Sequence, residues 1–201
     1  MRTRHPSPDK KDARRDARLA RSAFVSSLAG AVRGALEQAV AAEILRNLPA
    51  PGILATYAAM GDEIRPSAAV LLAAAAGWKI AFPRVAKAQP LTFHLAAPAE
   101  LLPGVLGIPE PPASLPMVRP DVLLVPLLAA DMRGNRLGQG GGYYDRTLAL
   151  LRQQGPVLAI GLAWDVQIVE WLDTQSWDQP LDALATPTAF HAYAAGAKAG
   201  S

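Results

Sequence analysis

The sequence predicts an α/β fold, a single Rossmann-like domain whose mostly parallel sheet is covered by helices on both faces. Three observations lead there. Short continuous apolar runs of strand length alternate with longer stretches of helical composition, the pattern of parallel strands buried on both sides. Gly134, Gly138, Gly140, Gly141 and Gly142 lie between one such strand and a helical stretch, where an open α/β sheet brings backbone N–H groups to a ligand. The 201 residues are 51% hydrophobic and 18% charged, enough apolar material for a sizeable core and too much for a disordered chain.

In chain order, residues 1–9, with Pro6 and Pro8, are expected to form a disordered tail, 10–193 the domain, and 194–201 a loose tail. Lys10–Ala23 is helical in composition, with Lys10, Arg14, Arg18 and Arg21 at spacings that put four cations on one face. Such a row is either a solvated surface or a clamp on an anion. A second helix is expected over Ser27–Asn47, with Gly30 and Gly34 weakening its start and Pro49 and Pro51 ending it. Gly52–Tyr57 reads as a buried strand, and Pro66 suits the first turn of a helix that Gly77 closes. Trp78–Phe82 is a strand expected to stop at Pro83, and the alternation of Leu91–Leu95 fits an edge or antiparallel strand. Residues 98–120 are rich in proline and form a long irregular crossing, a length more often functional than idle. Val122–Val125 leads to the glycine stretch, Thr147–Arg152 follows it as helix, and Pro156–Leu162 is a further core strand. Leu184–Thr186 reads as a short last strand, and residues 165–178 carry no clear period.

Composition narrows the function classes. Formal net charge is +3, with much of the excess between Arg2 and Arg21, which permits a nucleic-acid surface without requiring one. There is no cysteine, so no disulfide or thiolate metal site exists. The charged N-terminus has no apolar leader, and the longest low-charge run, Ala68–Trp78, is too short to span a bilayer. A cytoplasmic protein is expected. His5, His94 and His191 have no ligand spacing, and nothing resembles a Ser–His–Asp arrangement.

The candidate chemistry lies in loops at carboxyl ends of strands: residues 58–65, the segment after Phe82, and residues 129–145, expected to converge. The glycine stretch lacks the Gly-Lys-Ser/Thr ending of a P-loop and the position of a dinucleotide fingerprint. Its backbone amides at Gly138–Gly142 suit phosphate oxygens, and Arg136 offers charge. Asp145, beside such a site, is either a Mg²⁺ ligand or an acid favoured by the helix dipole, roles that are compatible. Tyr143 and Tyr144 either pack or present a ring and a hydroxyl to a ligand. Glu63 either flanks a helix or accepts hydrogen bonds from a ligand N–H. The residues alone support a nucleotide-binding α/β enzyme using Mg²⁺, without naming a reaction.

At Arg136-Leu-Gly-Gln-Gly-Gly-Gly-Tyr-Tyr-Asp145-Arg146 the chain resembles the 5-formyltetrahydrofolate cyclo-ligase family, also called methenyltetrahydrofolate synthetase. The resemblance extends to Asp121–Pro126, to Asp131 with Gly134, to Gly107-Ile-Pro-Glu110-Pro111, to the Tyr57–Glu63 loop and to Lys10-x-x-x-Arg14, over roughly residues 10–188. It implies ATP- and Mg²⁺-dependent conversion of 5-formyltetrahydrofolate to 5,10-methenyltetrahydrofolate by a monomer, with no nucleic-acid or membrane partner. Lys10 and Arg14 would hold ATP phosphates, and Arg136, Leu137, Gly138, Gln139, Gly140, Gly141, Gly142, Tyr143 and Tyr144 would cradle the nucleotide. Asp145 and Asp178 would ligate Mg²⁺, Ala58 and Glu63 would meet the folate, and Arg136 and Tyr144 would act at the reacting centre. Ala129-Ala130, Gln139 and Trp177 depart from the family pattern, and the second metal ligand, Asp178, is the least firmly aligned. Two other readings are weighed against this one. A sugar-phosphate isomerase or coenzyme A transferase would not need Lys10 and Arg14, and an RNA binder would carry more aromatics beside its basic row.

Overall fold

A computed structural model of the chain describes residues 9–193. The expected tails, 1–9 and 194–201, lie outside it except for Asp9, whose carboxylate caps the first helix. The elements in order are α1 (Lys10–Ser27), α2 (Gly30–Asn47), β1 (Ile53–Ala55), α3 (Ser67–Ala75), β2 (Lys79–Arg84), β3 (Thr92–Leu95), β4 (Leu102–Pro103), β5 (Pro109–Glu110), β6 (Met117–Val118), β7 (Val122–Pro126), β8 (Ala129–Asp131), β9 (Arg136–Leu137), α4 (Tyr143–Gln154), β10 (Leu158–Leu162), β11 (Ile168–Val169), β12 (Ala183–Ala185) and β13 (Phe190–Ala192).

Eight strands form one sheet in the order β13-β12-β10-β7-β1-β2-β3-β6. The five central strands pair in parallel, while β13, β3 and β6 add antiparallel edges. Numbered along the chain, the parallel strands β1, β2, β7, β10 and β12 run 2-1-3-4-5 across the sheet. This is a doubly wound order, distinct from the dinucleotide-binding order 3-2-1-4-5-6, and its switch point lies between β1 and β7.

Alternate residues of these strands enter two separate cores. Leu54, Val122, Leu124, Ile160, Leu162, Ala183 and Ala185 pack with Val25 of α1, Val40 and Ile44 of α2, and Ala69 and Ala73 of α3. Ala55, Leu123, Val125, Ala159 and Leu184 face the other way, onto Leu148 and Leu151 of α4. Every one of these strand residues is buried, which is why the runs read as continuously apolar.

Several boundaries differ from the sequence reading. α1 runs to Ser27, four residues past the expected Ala23, because Phe24 and Val25 pack into the first core. β2 continues through Pro83 instead of stopping there. Pro83 lies beyond Ala81, the last residue of β2 paired to β1, so its missing N–H leaves no bond to β1 unmade. The irregular stretch 98–120 contains the β4–β5 hairpin and the edge strand β6. Within the expected loop 129–145, β8 and β9 join β11 in a small three-stranded sheet. Asp131 anchors it: fully buried, its carboxylate accepts from the backbone N–H groups of Arg133, Asn135 and Leu172 and from the Asn135 amide.

Candidate functional site

The glycine stretch emerges from β9 and ends at α4. Gly140 (φ +105°) and Gly142 (φ +64°) occupy left-handed backbone that a side chain would strain. Gly142 is the residue that caps α4, so Tyr143, Tyr144 and Asp145 form the first turn of that helix. The positive end of α4 therefore faces the loop. Arg146 closes the turn by donating to the Gly141 carbonyl at 2.8 Å while its guanidinium lies 5.1 Å from the Tyr143 ring centre.

α1 lies across this loop. Arg14 Nε donates to the Gly138 carbonyl at 3.0 Å, and Arg18 donates twice to the Gln139 side chain at 2.9 and 3.1 Å. Two of the four cations of the basic row thus bond to the glycine loop, with Arg18 still exposed to solvent. The other two reach further. Lys10 Nζ pairs with Asp178 Oδ2 at 2.7 Å. Arg21, only 7% exposed, donates to the Leu127 carbonyl at the end of β7 and approaches Glu63 at 4.0 Å.

Glu63 sits at the switch point, in the loop after β1. That loop is held from several sides: Tyr57 Oη donates to the Ile64 carbonyl, Arg33 of α2 to the Glu63 carbonyl, and Trp164 Nε1 to the Asp62 carbonyl. The Glu63 carboxylate accepts from Met60 N–H at 3.0 Å. Burial nevertheless pushes its pKa up, against the Met60 hydrogen bond and the Arg21 charge. Tyr144 lines the same cleft as Glu63 and Arg136. Burial first, then the Glu63 charge, raises its hydroxyl well above the ordinary tyrosine value, while Arg136 opposes the shift. Tyr144 therefore stays protonated at neutral pH, a donor and not a base.

Asp145 and Asp178 are both neutralised by cations of the same site. Asp145 Oδ1 accepts from Arg136 Nη2 at 2.6 Å and from Gln179 N–H at 3.1 Å. Asp178 Oδ2 accepts from Lys10 and from Gln175 N–H. Arg136, with a side chain 4% exposed, also donates to the Gln179 carbonyl. Burial draws its pKa down, and the Asp145 charge holds it up. No group of three or more His, Cys, Asp or Glu residues suited to a metal occurs among the described residues. Two carboxylates nevertheless fit Mg²⁺ carried by a polyphosphate, since that ion takes few protein oxygens and completes its shell with phosphate and water.

All these groups line one cleft of about 1530 Å³. It holds every residue singled out from the sequence: Lys10, Arg14, Ala58, Glu63, the run from Arg136 to Asp145, and Asp178. The three loops expected to converge do so, with Pro83 and Val85 representing the segment after Phe82. Sequence reasoning missed Arg21 and Glu110 as site groups. Arg21 had a signal, as the last member of the cation row, and Glu110 stood within the Gly107–Pro111 segment already noted. What neither pattern carried was burial of the charge.

The comparisons with known proteins agree with one another. The family model described as the 5-formyltetrahydrofolate cyclo-ligase family matches residues 6–187. The 5-formyltetrahydrofolate cyclo-ligase of Escherichia coli K12 is 46% identical over 94 residues, covering 45% of this chain and 51% of that protein. The protein of the same name from Mycolicibacterium smegmatis is 34% identical over 102 residues, covering 49% and 52%. These matches span about half the length of the curated relatives. Among solved structures, the 5,10-methenyltetrahydrofolate synthetase of Aquifex aeolicus superposes with TM-score 0.75 over 96% of both chains at 26% identity. The Mycoplasma pneumoniae synthetase has the same fold, with TM-score 0.70 over 90% of this chain and 99% of that one at 21% identity.

Proposed function

The chain belongs to the 5-formyltetrahydrofolate cyclo-ligase family, and we propose that it converts 5-formyltetrahydrofolate to 5,10-methenyltetrahydrofolate, consuming ATP and releasing ADP and phosphate. One observation carries the reading. The glycine loop with its α1 cations and the Glu63 loop open on the same cleft, which Tyr144 also lines. An anion half and a hydrogen-bonding half thus share one cleft, with the protonated Tyr144 hydroxyl in its lining.

The chemistry follows from the substrate. A formamide oxygen is a poor leaving group. Transfer of the γ-phosphoryl to that oxygen makes it a good one. N10 then attacks the formyl carbon and loses its proton, the C–O bond breaks, phosphate departs, and the methenyl cation remains. The protein's part is positioning and charge. Lys10 and Arg14 hold the phosphates, with the amides of Gly138–Gly142 and the amino end of α4 adding fixed donors. Arg136 offsets charge on the transferring group, and Tyr144 donates toward the formyl–phosphate oxygen. Asp145 and Asp178 would hold Mg²⁺, which would neutralise phosphate charge when bound. Glu63, near Ala58, accepts from the pterin N–H groups. The reading is of a cytoplasmic monomer; among the described residues no helix is long and apolar enough to cross a membrane.

Substrate binding requires partner exchange. Lys10, now paired with Asp178, would turn to phosphate, and Arg136, now paired with Asp145, would share that carboxylate with a bound ion. Nucleotide and metal should therefore bind with mutual enhancement, since each relieves the charge that the other uncovers.

Gly140→Ala tests the loop. The side chain would adopt a left-handed φ at a strain of about 1–3 kcal/mol, and its Cβ would lie 3.4 Å from the Arg14 guanidinium carbon. The KM for ATP should rise about tenfold, the equivalent of roughly 1.4 kcal/mol, with the KM for folate changed much less. The proposed function itself is tested by mixing purified protein with 5-formyltetrahydrofolate, ATP and Mg²⁺ and following methenyl absorbance. ATP-dependent product is expected; none at high enzyme concentration would refute the assignment.

A further inference from the structure

Pro83, Val85, Leu91, Leu106 and Ile108 give the cleft an apolar part of its lining, and one carboxylate, Glu110, lines it with them. Glu110 ends β5 in the β4–β5 hairpin, paired with Leu102. The residue is 3% exposed, and its Oε1 is buried without a hydrogen-bond partner. A buried carboxylate oxygen left unpaired is costly, and such groups are found where a ligand completes them.

A second observation concerns how the side chain is housed. A Cβ built on Gly104 would lie 2.5 Å from Glu110 Cγ, 2.6 Å from its carboxyl carbon and 2.6 Å from the Ile108 carbonyl oxygen, so the carboxylate and the hairpin backbone both close over this position. Gly104 has ordinary extended backbone, so glycine there serves space and not backbone freedom. The hairpin is shaped to hold this carboxylate against the cleft. Its far end is tied to the main sheet, because Arg84 of β2 donates to the Pro111 carbonyl.

We infer that Glu110 is a substrate-binding residue, a second carboxylate that accepts hydrogen bonds from N–H donors of the flat heterocycle in the apolar half of the cleft. A lone acceptor in an apolar wall orients a ring that hydrophobic contact alone would leave free to rotate. With Glu63 at the switch point and Glu110 on the hairpin, a heterocycle bearing N–H groups on two sides is held from both. Analogues lacking one set of donors would leave a carboxylate buried and unpaired, so the pair also discriminates among ligands. The inference rests on the cyclo-ligase reading.

The test is equilibrium binding of 5-formyltetrahydrofolate by calorimetry, which needs no turnover, beside binding of a non-hydrolysable ATP analogue and the thermal midpoint. Glu110→Gln keeps shape and removes charge. Gly104→Ala keeps the carboxylate and forces it to shift together with the hairpin backbone at Ile108. Each variant should weaken folate binding roughly 10-fold or more, as loss of a hydrogen bond to a charged group does, while ATP-analogue affinity stays within about twofold. Glu110→Gln should leave the midpoint unchanged or higher, because a buried unpaired charge is gone; a purely structural role would lower it. Folate affinity equal to wild type in both variants, parallel loss of both ligands, or failure of both variants to fold would overturn the inference. If wild type binds folate but forms no methenyl product, the functional reading fails and the role of Glu110 is still decided by the binding ratio. If wild type binds no folate, both fail.

Discussion

Asp145→Ala is expected to reduce kcat/KM by about 10³-fold, since a metal-held phosphate charge is worth several kcal/mol. The loss should appear as a weaker dependence on Mg²⁺ and a raised KM for ATP, with folate affinity nearly intact. There is also a stability consequence. Arg136 is almost fully buried and takes its carboxylate partner from Asp145 at 2.6 Å, while Asp145 is 26% exposed. Removing that partner leaves a buried guanidinium whose one remaining hydrogen bond among the described residues is to the Gln179 carbonyl. Discounted for the exposure of Asp145, the cost is about 1–3 kcal/mol. The thermal midpoint should fall by roughly 3–10 °C for a domain of this size. Asp145→Asn keeps the acceptor oxygen and should recover most of the midpoint while remaining inactive. Unchanged Mg²⁺ dependence in either variant would remove Asp145 from the metal site.

Glu63→Gln is expected to raise the KM for folate by about 10–100-fold, the worth of hydrogen bonds to a charged acceptor, with little change for ATP. Its pH behaviour separates this role from a structural one. Burial raises the Glu63 pKa above the ordinary glutamate value near 4.3. In wild type, folate binding should weaken as pH falls through that raised value, because the protonated acid accepts fewer hydrogen bonds. The glutamine variant should lack this acidic limb. Stability runs in the opposite sense. A carboxyl whose folded pKa is raised binds more protons folded than unfolded, so its contribution is complete below the unfolded value and is lost as pH rises through the folded one. At neutral pH the ionised Glu63 therefore disfavours folding, and the neutral glutamine of the variant should leave the midpoint unchanged or higher. A variant that loses stability and both ligands together would make Glu63 a scaffold residue.

Asp145 and Glu63 stand in opposite halves of one cleft, and the elements that carry them differ in how far the sequence reveals them. β7 and β10 are the most legible strands, because each is a five-residue apolar run buried almost throughout. The glycine loop is legible because left-handed backbone at Gly140 and Gly142 demands that residue. The three-stranded sheet of β8, β9 and β11 is not, since strands of two or three residues are too short to show a period. Nor is β13, which precedes the tail and is recognisable only by its pairing to β12. Charges are the least legible. Lys10 and Asp178 are 168 positions apart in the chain and meet only through the fold. Arg21 and Glu110 look like surface residues until the packing around them is known.

α1 matters to both halves of the site. Arg14 and Arg18 bind the glycine loop, and Arg21, on the same helix, approaches Glu63 and the end of β7. A single helix thus spans from the glycine loop, the proposed phosphate contact, to the Glu63 carboxylate, the proposed folate contact. In-line transfer between two bound substrates requires a defined spacing of such contacts.

The central claim is that the formyl oxygen is activated by phosphorylation in this cleft. It is tested most directly with 5-formyltetrahydrofolate carrying ¹⁸O in the formyl group, by mass spectrometry of the phosphate released during turnover. The account predicts that each phosphate formed with a methenyl product carries one ¹⁸O atom. Unlabelled phosphate, with the label recovered in water, would contradict it.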